Sequence, residues 1–448
     1  MRYAIIGAGL SGLTAAYEIH RADPTAHIDV LEAGERIGGK LFTVPFASGP
    51  TDMGAEAYLA ARGDATEFFT ELGLRDSLVS PSNARSLLYA GGELRGIPRG
   101  GVMGIPAELA DASATEPTVS WEVGGDASVG ALVRAAYGEE IVDTLVSALL
   151  GGVYSSTADD LGVRATIPAL AQALDTLAES GEPLRLSSAV KLVEEGRRGS
   201  TASKPVFGTF RGGYAELYET LAEKSGADIH LDCFVSSITA REGGFEVKGG
   251  VGIYDRIVLA VPAPTAAVLL RDIAPGASPH LNSIRLASSV VVGMKFDAAE
   301  GLPEASGILV AANEPGITAK AFTFSSRKWP HLGDRGGALV RASFGRLGDD
   351  AAVRMDEDEL VDIALDDLHR ITGFDGRAAG LSEIYVQRWF GGLPAYGVGH
   401  LSVAAAARGE IARIEGLEAI GAWAGGVGVP AVIADARAAV ARLTGAGN

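Results

Sequence analysis

Cysteine and long apolar runs are nearly absent from this sequence of 448 residues. The single cysteine, Cys233, excludes an intramolecular disulfide and a cluster of cysteine ligands for a metal. Such usage is typical of a reducing cytoplasm, the location we predict, and no metal is expected. The longest apolar stretch, residues 257–270, contains two prolines and is too short to span a bilayer. The first residues lack the features of a signal peptide, so we expect none.

Basic residues are also scarce, with 38 Lys and Arg against 56 Asp and Glu and a formal net charge of −18. This balance argues against nucleic acid as a partner but allows local basic pockets for acidic ligands. The length predicts two or three domains, and 47% hydrophobic residues supply their cores. Many of the 60 glycines fall in short motifs, which are the informative part of the chain.

The first motif is Gly7-Ala8-Gly9-Leu10-Ser11-Gly12, which follows an apolar run at 2–6 and opens a predicted helix. A second strand is predicted at 27–32, giving the β-α-β unit of a doubly wound parallel sheet. Gly7 permits a tight turn, Gly9 lets the backbone approach a pyrophosphate, and Gly12 lets helix and strand pack closely. The pattern predicts a dinucleotide site.

Glu32 ends the second predicted strand, where its carboxylate can accept hydrogen bonds from ribose hydroxyls. No basic residue follows it directly, which disfavours a ligand with a 2′-phosphate. No second GxGxxG motif follows a strand in the middle of the chain. A separate NAD(P)H domain is therefore not expected, and the electrons are predicted to pass to O₂ or another small acceptor.

Residues 32–40, EAGERIGGK, resemble the E-x-x-x-R-x-G-G-R/K signature of FAD enzymes in the amine oxidase and glutathione reductase-like superfamily. Further segments of the same resemblance are 52–57, 259–262 and 425–430. It implies FAD, held non-covalently because the stretch near 400 has no cysteine to tether it. The implied cofactor-binding residues are Gly7, Ala8, Gly9, Leu10, Ser11, Gly12, Glu32, Ala33, Gly39, Lys40, Gly54, Ala55, Glu56, Ala57, Val235, Trp389, Val427, Gly428 and Val429.

Five later segments, in order, resemble the oxygen-dependent protoporphyrinogen/coproporphyrinogen oxidases of haem biosynthesis. They are GGVYSS (151–156), LGVRATIP (161–168), FGTFRGGY (207–214), FTFSSRKWPH (322–331) and RWFGGLPAYGVGH (388–400). The family has Ala-Gly where this chain has Ser155-Ser156, Ser at Gly162 and Gln at Ala395. The resemblance implies an α/β fold with an α+β second part. A Rossmann-type FAD-binding domain would carry a mixed-sheet substrate domain and a helical insertion.

The domain prediction has five parts: FAD-binding at 1–65, 206–275 and 385–448, a helical substrate-pocket domain at 66–190, and the substrate-domain sheet at 276–384. Within these, 126–150 is predicted to be helical and 194–205 to be a mobile loop.

The resemblance implies oxidation of coproporphyrinogen III to coproporphyrin III, with three O₂ reduced to three H₂O₂. Its substrate candidates are Gly152, Arg95, Arg99 and Tyr396, and we assign no catalytic base. Protoporphyrinogen IX is the alternative substrate, followed by an amine oxidase or carotenoid desaturase activity and by a flavin-less binding protein. Transient contact with a ferrochelatase and peripheral contact with a membrane stay open.

Overall fold

The protein is described from a computed structural model, which covers residues 1–61, 63–108, 115–181, 183–198 and 205–445. Contacts divide the chain into two units. The first unit contains the described parts of Met1–Ser80, Lys204–Arg285 and Leu401–Asn448, and the second those of Pro81–Ser203 and Leu286–His400.

The strands of the described residues are short, apart from two that cross the second unit. In chain order they are β1 (Arg2–Ile6), β2 (His27–Leu31), β3 (Thr43–Phe46), β4 (Gly49–Asp52), β5 (Tyr58–Leu59), β6 (Leu78–Val79), β7 (Ser86–Ala90), β8 (Glu93–Gly96), β9 (Phe207–Phe210), β10 (Asp228–His230), β11 (Ser237–Arg241), β12 (Gly244–Lys248), β13 (Ile253–Tyr254), β14 (Arg256–Leu259), β15 (Leu286–Phe296), β16 (Gly307–Val310), β17 (Ala321–Thr323), β18 (Ala338–Phe344), β19 (Leu381–Pro394) and β20 (Leu417–Ala419).

The helices include several of a single turn. They are α1 (Leu10–Ala22), α2 (Gly63–Glu71), α3 (Val129–Tyr137), α4 (Glu139–Ile141), α5 (Ser147–Tyr154), α6 (Val163–Thr166), α7 (Pro168–Ser180), α8 (Leu186–Arg198), α9 (Ala215–Lys224), α10 (Ala263–Leu270), α11 (Ala277–Asn282), α12 (Ser325–Lys328), α13 (Pro330–Gly333), α14 (Ala351–Arg354), α15 (Glu357–Thr372), α16 (His400–Ile411), α17 (Ala422–Gly425) and α18 (Val429–Thr444). Within the described residues, no helix combines the length and the apolar character needed to cross a bilayer.

The first unit is built on a five-stranded sheet in the order β10-β2-β1-β14-β20, and every pair is parallel. Alternate residues of β1 enter two separate apolar clusters: Tyr3 and Ile5 join one, and Ala4 and Ile6 join the other. Both faces are thus buried, as a parallel sheet requires. Helices α1 and α18 cover one face through residues such as Leu13. The predicted β-α-β unit in a parallel sheet is confirmed.

The second unit is built on a seven-stranded sheet in the order β19-β15-β18-β17-β16-β7-β8. Only the pair β16–β7 is parallel, so the sheet is mixed as predicted. Its apolar face carries Val292, Met294, Val340 and Ala342, and helix α15 packs against it through residues such as Leu360. The opposite face, described below, carries polar side chains on β17, β18 and β19 and apolar ones such as Leu88 on β7.

The structure corrects three predicted boundaries. The predicted start of the last FAD-binding part, at 385, falls inside β19, because β19 pairs with β15 along its length and belongs to the second sheet. The predicted helix at 126–150 is broken at Gly138, whose φ of +85° ends α3. Helix α8 extends to Arg198, so 194–198 is not a loop, and 199–204 lies outside the described residues.

Candidate functional site

The glycines of the first motif differ in what surrounds them. An ideal Cβ on Gly7, which has φ +105°, would lie 2.6 Å from the Ala260 carbonyl oxygen, and one on Gly12 would lie 1.9 Å from the Gly7 carbonyl oxygen. A Cβ on Gly9 would have only the Gly39 Cα, 3.7 Å away, within contact distance. Packing therefore requires glycine at positions 7 and 12. At position 9 packing leaves room for a side chain, so a glycine there fits the close approach of a ligand such as a pyrophosphate.

Helix α1 begins at this turn, with Leu10 and Ser11 in its first turn and Gly9 as its N-cap. No side chain of the described residues caps it, and no acidic residue lies in its first turn. The first N–H groups of a helix attract anions through their unsatisfied donors and the helix dipole. The chemistry of this turn therefore fits the diphosphate of a dinucleotide.

Glu32 lies directly after β2, at the carboxyl edge of the parallel sheet, where ligands of such sheets bind. Its Oε2 accepts a hydrogen bond from the Ala8 N–H and its Oε1 one from the Gly34 N–H, both at 2.8 Å. These bonds fix the loop containing Ala33 beside the glycine motif. Each carboxylate oxygen can accept a further hydrogen bond, so the position still suits a ribose.

The Gly38-Gly39 pair lies against the first motif, because the Gly38 N–H donates to the Ala8 carbonyl (2.8 Å). Arg36 stabilises this turn, since its guanidinium donates to the carbonyls of Ile37, Leu41 and Gly39. It also lies 3.9 Å from the centre of the Phe42 ring. The geometry therefore gives Arg36 a structural role in the turn.

Lys40 and the predicted segment Gly54-Ala55-Glu56-Ala57 are neighbours. The Ala55 N–H donates to the Lys40 carbonyl (3.2 Å), and a Cβ on Gly54 would lie 2.0 Å from the same oxygen. Glycine at 54 is thus required by packing. The structure brings Lys40 and this segment together, and their contact with a cofactor stays a prediction.

Two further predicted segments lie in the first unit. The chain before Val235 contacts Glu32, whose carbonyl accepts from the Cys233 N–H (2.8 Å). Val427 and Gly428 lead into α18, which starts at Val429 with Gly428 as N-cap and no side-chain cap among the described residues. That start is therefore a second helix N-terminus suited to negative charge.

The second face of the seven-stranded sheet, here called the polar face, is defined by strand register. One row across four strands consists of Thr323 on β17, Arg341 on β18, Gly293 on β15 and Tyr385 on β19. Ser343, Val291 and Gln387 form part of the next row. Paired residues share a face, so these side chains lie opposite the apolar face packed by α15. Sequence reasoning missed Arg341 and its row.

Two of the predicted substrate residues lie on or over this face. Arg95 pairs with Leu88, on the same side as Leu309. An exposed Gly152, on α5, lies over that side, since its Cβ would be 3.2 Å from Leu309 Cδ2. Arg99 lies past the end of β8 and, with Arg85, lines an open cavity of about 450 Å³ to which Arg95 does not contribute. The two predicted arginines are therefore not in one pocket.

The segment 388–400 begins on β19, with Trp389 opposite Ser289 and on the side of the polar face. Tyr396 is buried, with 4% of its surface exposed. Its ring stacks on His400 at 4.1 Å between centroids and lies 6.0 Å from the Tyr154 ring. This gives Tyr396 a packing role, and contact with a substrate stays a prediction, as does contact of Trp389 with the cofactor.

Asp126 fixes the end of that segment. Its Oδ2 accepts from the Gly399 N–H (2.9 Å), and its Oδ1 accepts from the N–H groups of Arg164 (2.9 Å) and Ala127 (3.0 Å). The Arg164 guanidinium in turn forms a bidentate pair with Asp175, which lowers the pKa of that carboxyl to about 2. An aspartate in a glycine-rich turn is common, so sequence offered no signal for Asp126.

Among the described residues, His27, Asp29 and Asp228 form one group with donor atoms close enough to hold a metal ion. Asp29 already contacts Arg2 through Oδ2 (3.4 Å) and His230 through Oδ1 (2.9 Å). A cation bound to Asp29 would oppose the Arg2 charge. The group is therefore better described as an ion-pair network.

The parallel sheet, its glycine turn and Glu32 define the class of dinucleotide-binding α/β proteins. Within that class, the chain belongs to the flavin containing amine oxidoreductase family, whose model matches residues 10–444. The family implies a flavin cofactor and an oxidoreductase activity, and the predicted family and fold class are confirmed.

The chain is 37% identical over 456 residues to the coproporphyrinogen III oxidase of Mycobacterium tuberculosis (strain ATCC 25618 / H37Rv), covering 98% of this chain and 96% of that one. It is 26% identical over 467 residues to the coproporphyrinogen III oxidase of Bacillus subtilis (strain 168), covering 97% and 96%. A solved structure from Exiguobacterium sp. 255-15, provisionally named a protoporphyrinogen oxidase, has a TM-score of 0.85 and 28% identity, covering 99% of this chain and 98% of that one. Cyclohexylamine oxidase from Brevibacterium oxydans IH-35A shares the fold alone, with a TM-score of 0.70 and 15% identity over 99% of each chain.

Proposed function

We propose that this protein is an FAD-dependent oxidase that converts coproporphyrinogen III to coproporphyrin III in haem biosynthesis. The conversion removes six electrons and six protons, and three O₂ are reduced to three H₂O₂. The observation that carries the proposal is the glycine turn at Gly9, open to a ligand at an uncapped helix N-terminus, in a chain similar over its length to enzymes of that name.

The first unit would hold FAD non-covalently. The start of α1 would bind the diphosphate, Glu32 the ribose hydroxyls, and the start of α18 the pyrimidine edge of the flavin. When bound, the flavin accepts the hydride that leaves the substrate. The remaining predicted cofactor residues of this unit would complete the FAD site. Acid precipitation of the yellow holoprotein is expected to release all the flavin as FAD, and flavin left in the pellet would contradict non-covalent binding.

The second unit would hold the porphyrinogen, with the exposed Gly152 backbone and Arg95 among its contacts. A porphyrinogen carries methylene bridges between electron-rich pyrroles, which stabilise the positive charge that develops when hydride leaves. The protein therefore needs to position one bridge carbon and exclude water, and no strong base is required. Gly152→Leu, whose side chain would collide with Leu309, is expected to abolish turnover with FAD still bound.

The deciding experiment compares initial rates with coproporphyrinogen III and protoporphyrinogen IX, followed by porphyrin fluorescence with H₂O₂ quantified. We expect preference for coproporphyrinogen III and three H₂O₂ per porphyrin. Preference for protoporphyrinogen IX, suggested by the name of the Exiguobacterium protein, would replace the substrate and keep the reaction. No reduction of the flavin by either compound in the absence of O₂ would overturn the proposal.

The proposal includes a cytoplasmic location and transient contact with a ferrochelatase. The single cysteine supports a reducing compartment. Cell fractionation followed by an activity assay of each fraction tests the location, and activity confined to the membrane fraction would contradict it.

A further inference from the structure

Two cations lie together at the end of helix α5, the helix that carries Gly151 and Gly152. Lys320 is buried, with 5% of its surface exposed. Its Nζ donates to Ser155 Oγ (2.6 Å) and to the Gly345 carbonyl (2.7 Å), both of which are uncharged. Ser155 stands where the family segment has alanine, and its φ of +49° ends the helix. Lys320 therefore holds the end of α5 with an ammonium group that has no counter-ion there.

Arg346 follows Gly345 directly, which places it beside Lys320. Its Nε is buried and has no hydrogen-bond partner among the described residues. An ideal Cβ on Gly151 would lie 3.8 Å from this Nε, so the guanidinium lies against the same turn of α5 as Gly152. Within the described residues, neither Arg346 nor Lys320 forms an ion pair with a carboxylate, and the exposed Asp349 acts on Arg346 only through its field.

A buried lysine beside a half-buried arginine, with no counter-ion among the described residues, is unusual, because burial without a partner disfavours charge. Here burial, and then the charge of Arg346, lower the pKa of Lys320 to about 7. Burial also lowers the pKa of Arg346. An anion beside them would relieve both effects. Gly152 and Val153, next along the helix from Gly151, are exposed, and Arg346 is only half-buried, so the turn of α5 beside Arg346 has an accessible surface.

We propose that Arg346, supported by Lys320, forms a subsite for one carboxylate of the ligand that lies over Gly152. Arg346 supplies planar paired donors suited to a carboxylate, and Lys320 supplies a second positive charge behind it. In the proposed function, on which this inference rests, the carboxylate is a propionate of the tetrapyrrole. The subsite is separate from the cavity lined by Arg85 and Arg99.

The test uses the FAD-loaded protein and two stable probes in the same detergent, coproporphyrin III and its tetramethyl ester, titrated by absorbance. Arg346→Gln is expected to weaken binding of coproporphyrin III by about tenfold and to leave binding of the ester within about twofold. The control, Arg354→Gln, removes an exposed arginine that pairs with Asp350 (3.7 Å) and is expected to bind both probes like the wild type. Equal weakening of both probes by Arg346→Gln, or no weakening of either, would overturn the subsite.

Kinetics separate this proposal from the proposed function. With coproporphyrinogen III, Arg346→Gln is expected to raise KM by about tenfold with kcat within about twofold, and Arg346→Lys to recover part of the loss. Wild-type KM in Arg346→Gln would overturn the subsite and leave the proposed function intact. A wild-type protein that neither binds coproporphyrin III nor oxidises its porphyrinogen would overturn the proposed function and the subsite with it. If Arg346→Gln loses flavin or unfolds, Lys320→Met is measured with the same probes and the same expectations.

Discussion

In the five-stranded sheet, successive residues of β1 enter two different apolar clusters, whereas in the seven-stranded sheet only alternate residues of β15 enter one. The first sheet therefore has no free face and offers a ligand only the ends of its strands, where Gly9 and Glu32 lie. The second sheet has one face outside that cluster. Its β18 and β8 strands carry Arg341 and Arg95 there, while Leu88 and Ala90 of β7 pack with Leu145 and Ala148. The candidate cofactor site therefore depends on backbone conformation, whereas the candidate substrate site depends on the register of the strands.

The largest effect on stability is expected at Gly12, where neighbouring backbone leaves no room for a side chain. Gly12→Val would place Cβ 1.9 Å from the Gly7 carbonyl oxygen and 3.3 Å from the Ala260 Cβ, so we expect a loss of more than about 4 kcal/mol in the free energy of unfolding. The protein should fail to accumulate in folded form, as measured by soluble yield and flavin absorbance. A stable flavoprotein carrying this change would show that α1 does not pack as described.

The matched variant, Gly9→Ala, separates an effect on ligand binding from an effect on packing. Its Cβ meets only Gly39 Cα, at 3.7 Å, so the flavin-free protein should lose about 1 kcal/mol or less. Flavin content after purification is expected to fall by about tenfold or more, because the methyl group occupies the approach to the helix N-terminus. Normal flavin content would contradict a diphosphate at this turn.

The next effect on stability is expected at Asp126, which holds the segment that follows β19 by accepting from the Gly399 N–H. Asp126→Ala leaves three backbone N–H groups, including those of Gly399 and Arg164, without their acceptor. We expect a loss of about 2 kcal/mol in urea unfolding of the holoprotein. Asp350→Ala, at an exposed ion pair, is the control and should change stability by less than about 0.5 kcal/mol.

A pH-dependent effect is expected from Lys320. Its folded pKa of about 7 is below the unfolded value of 10.5, so between these values the unfolded chain binds more protons and stability rises with pH. Relative to Lys320→Met, the wild type should gain on the order of 1 kcal/mol per pH unit across that window, most clearly between pH 7 and 9. Parallel stability curves for the two proteins would contradict the lowered pKa of Lys320 in the folded protein.

The smallest effect tests the edge strand β19. Phe390 is 69% exposed although it stands next to Trp389 in the aromatic segment. Phe390→Ser is expected to change the free energy of unfolding by less than about 0.5 kcal/mol, because little apolar surface is buried there. Thermal unfolding monitored by flavin fluorescence gives the value, and a loss above 2 kcal/mol would mean that this ring packs against the protein.

The two regions were not equally predictable from sequence. The glycine turn could be found because Gly7 and Gly12 are imposed by nearby backbone, and such constraints leave a fixed spacing in the chain. The polar face could not be found, because its row depends on the register of β15 and β19, which shifts at a bulge between Ala287 and Ser289. The same strand explains why the predicted boundary at 385 fell within the sheet. Lys320 lies just before β17, where nothing in the sequence marks a lysine as buried.

The order of strands in the parallel sheet also has a consequence for folding of the chain while it is being translated. Tyr3 pairs with Arg256, and the outer strand β20 joins only through residues 417–419. A growing chain on the ribosome therefore holds β1 and β2 long before their neighbours exist, and contacts so distant in sequence slow folding. Unpaired edges of apolar strands are prone to aggregate in that interval. We expect the nascent chain to depend on chaperones until its last fifth has been translated.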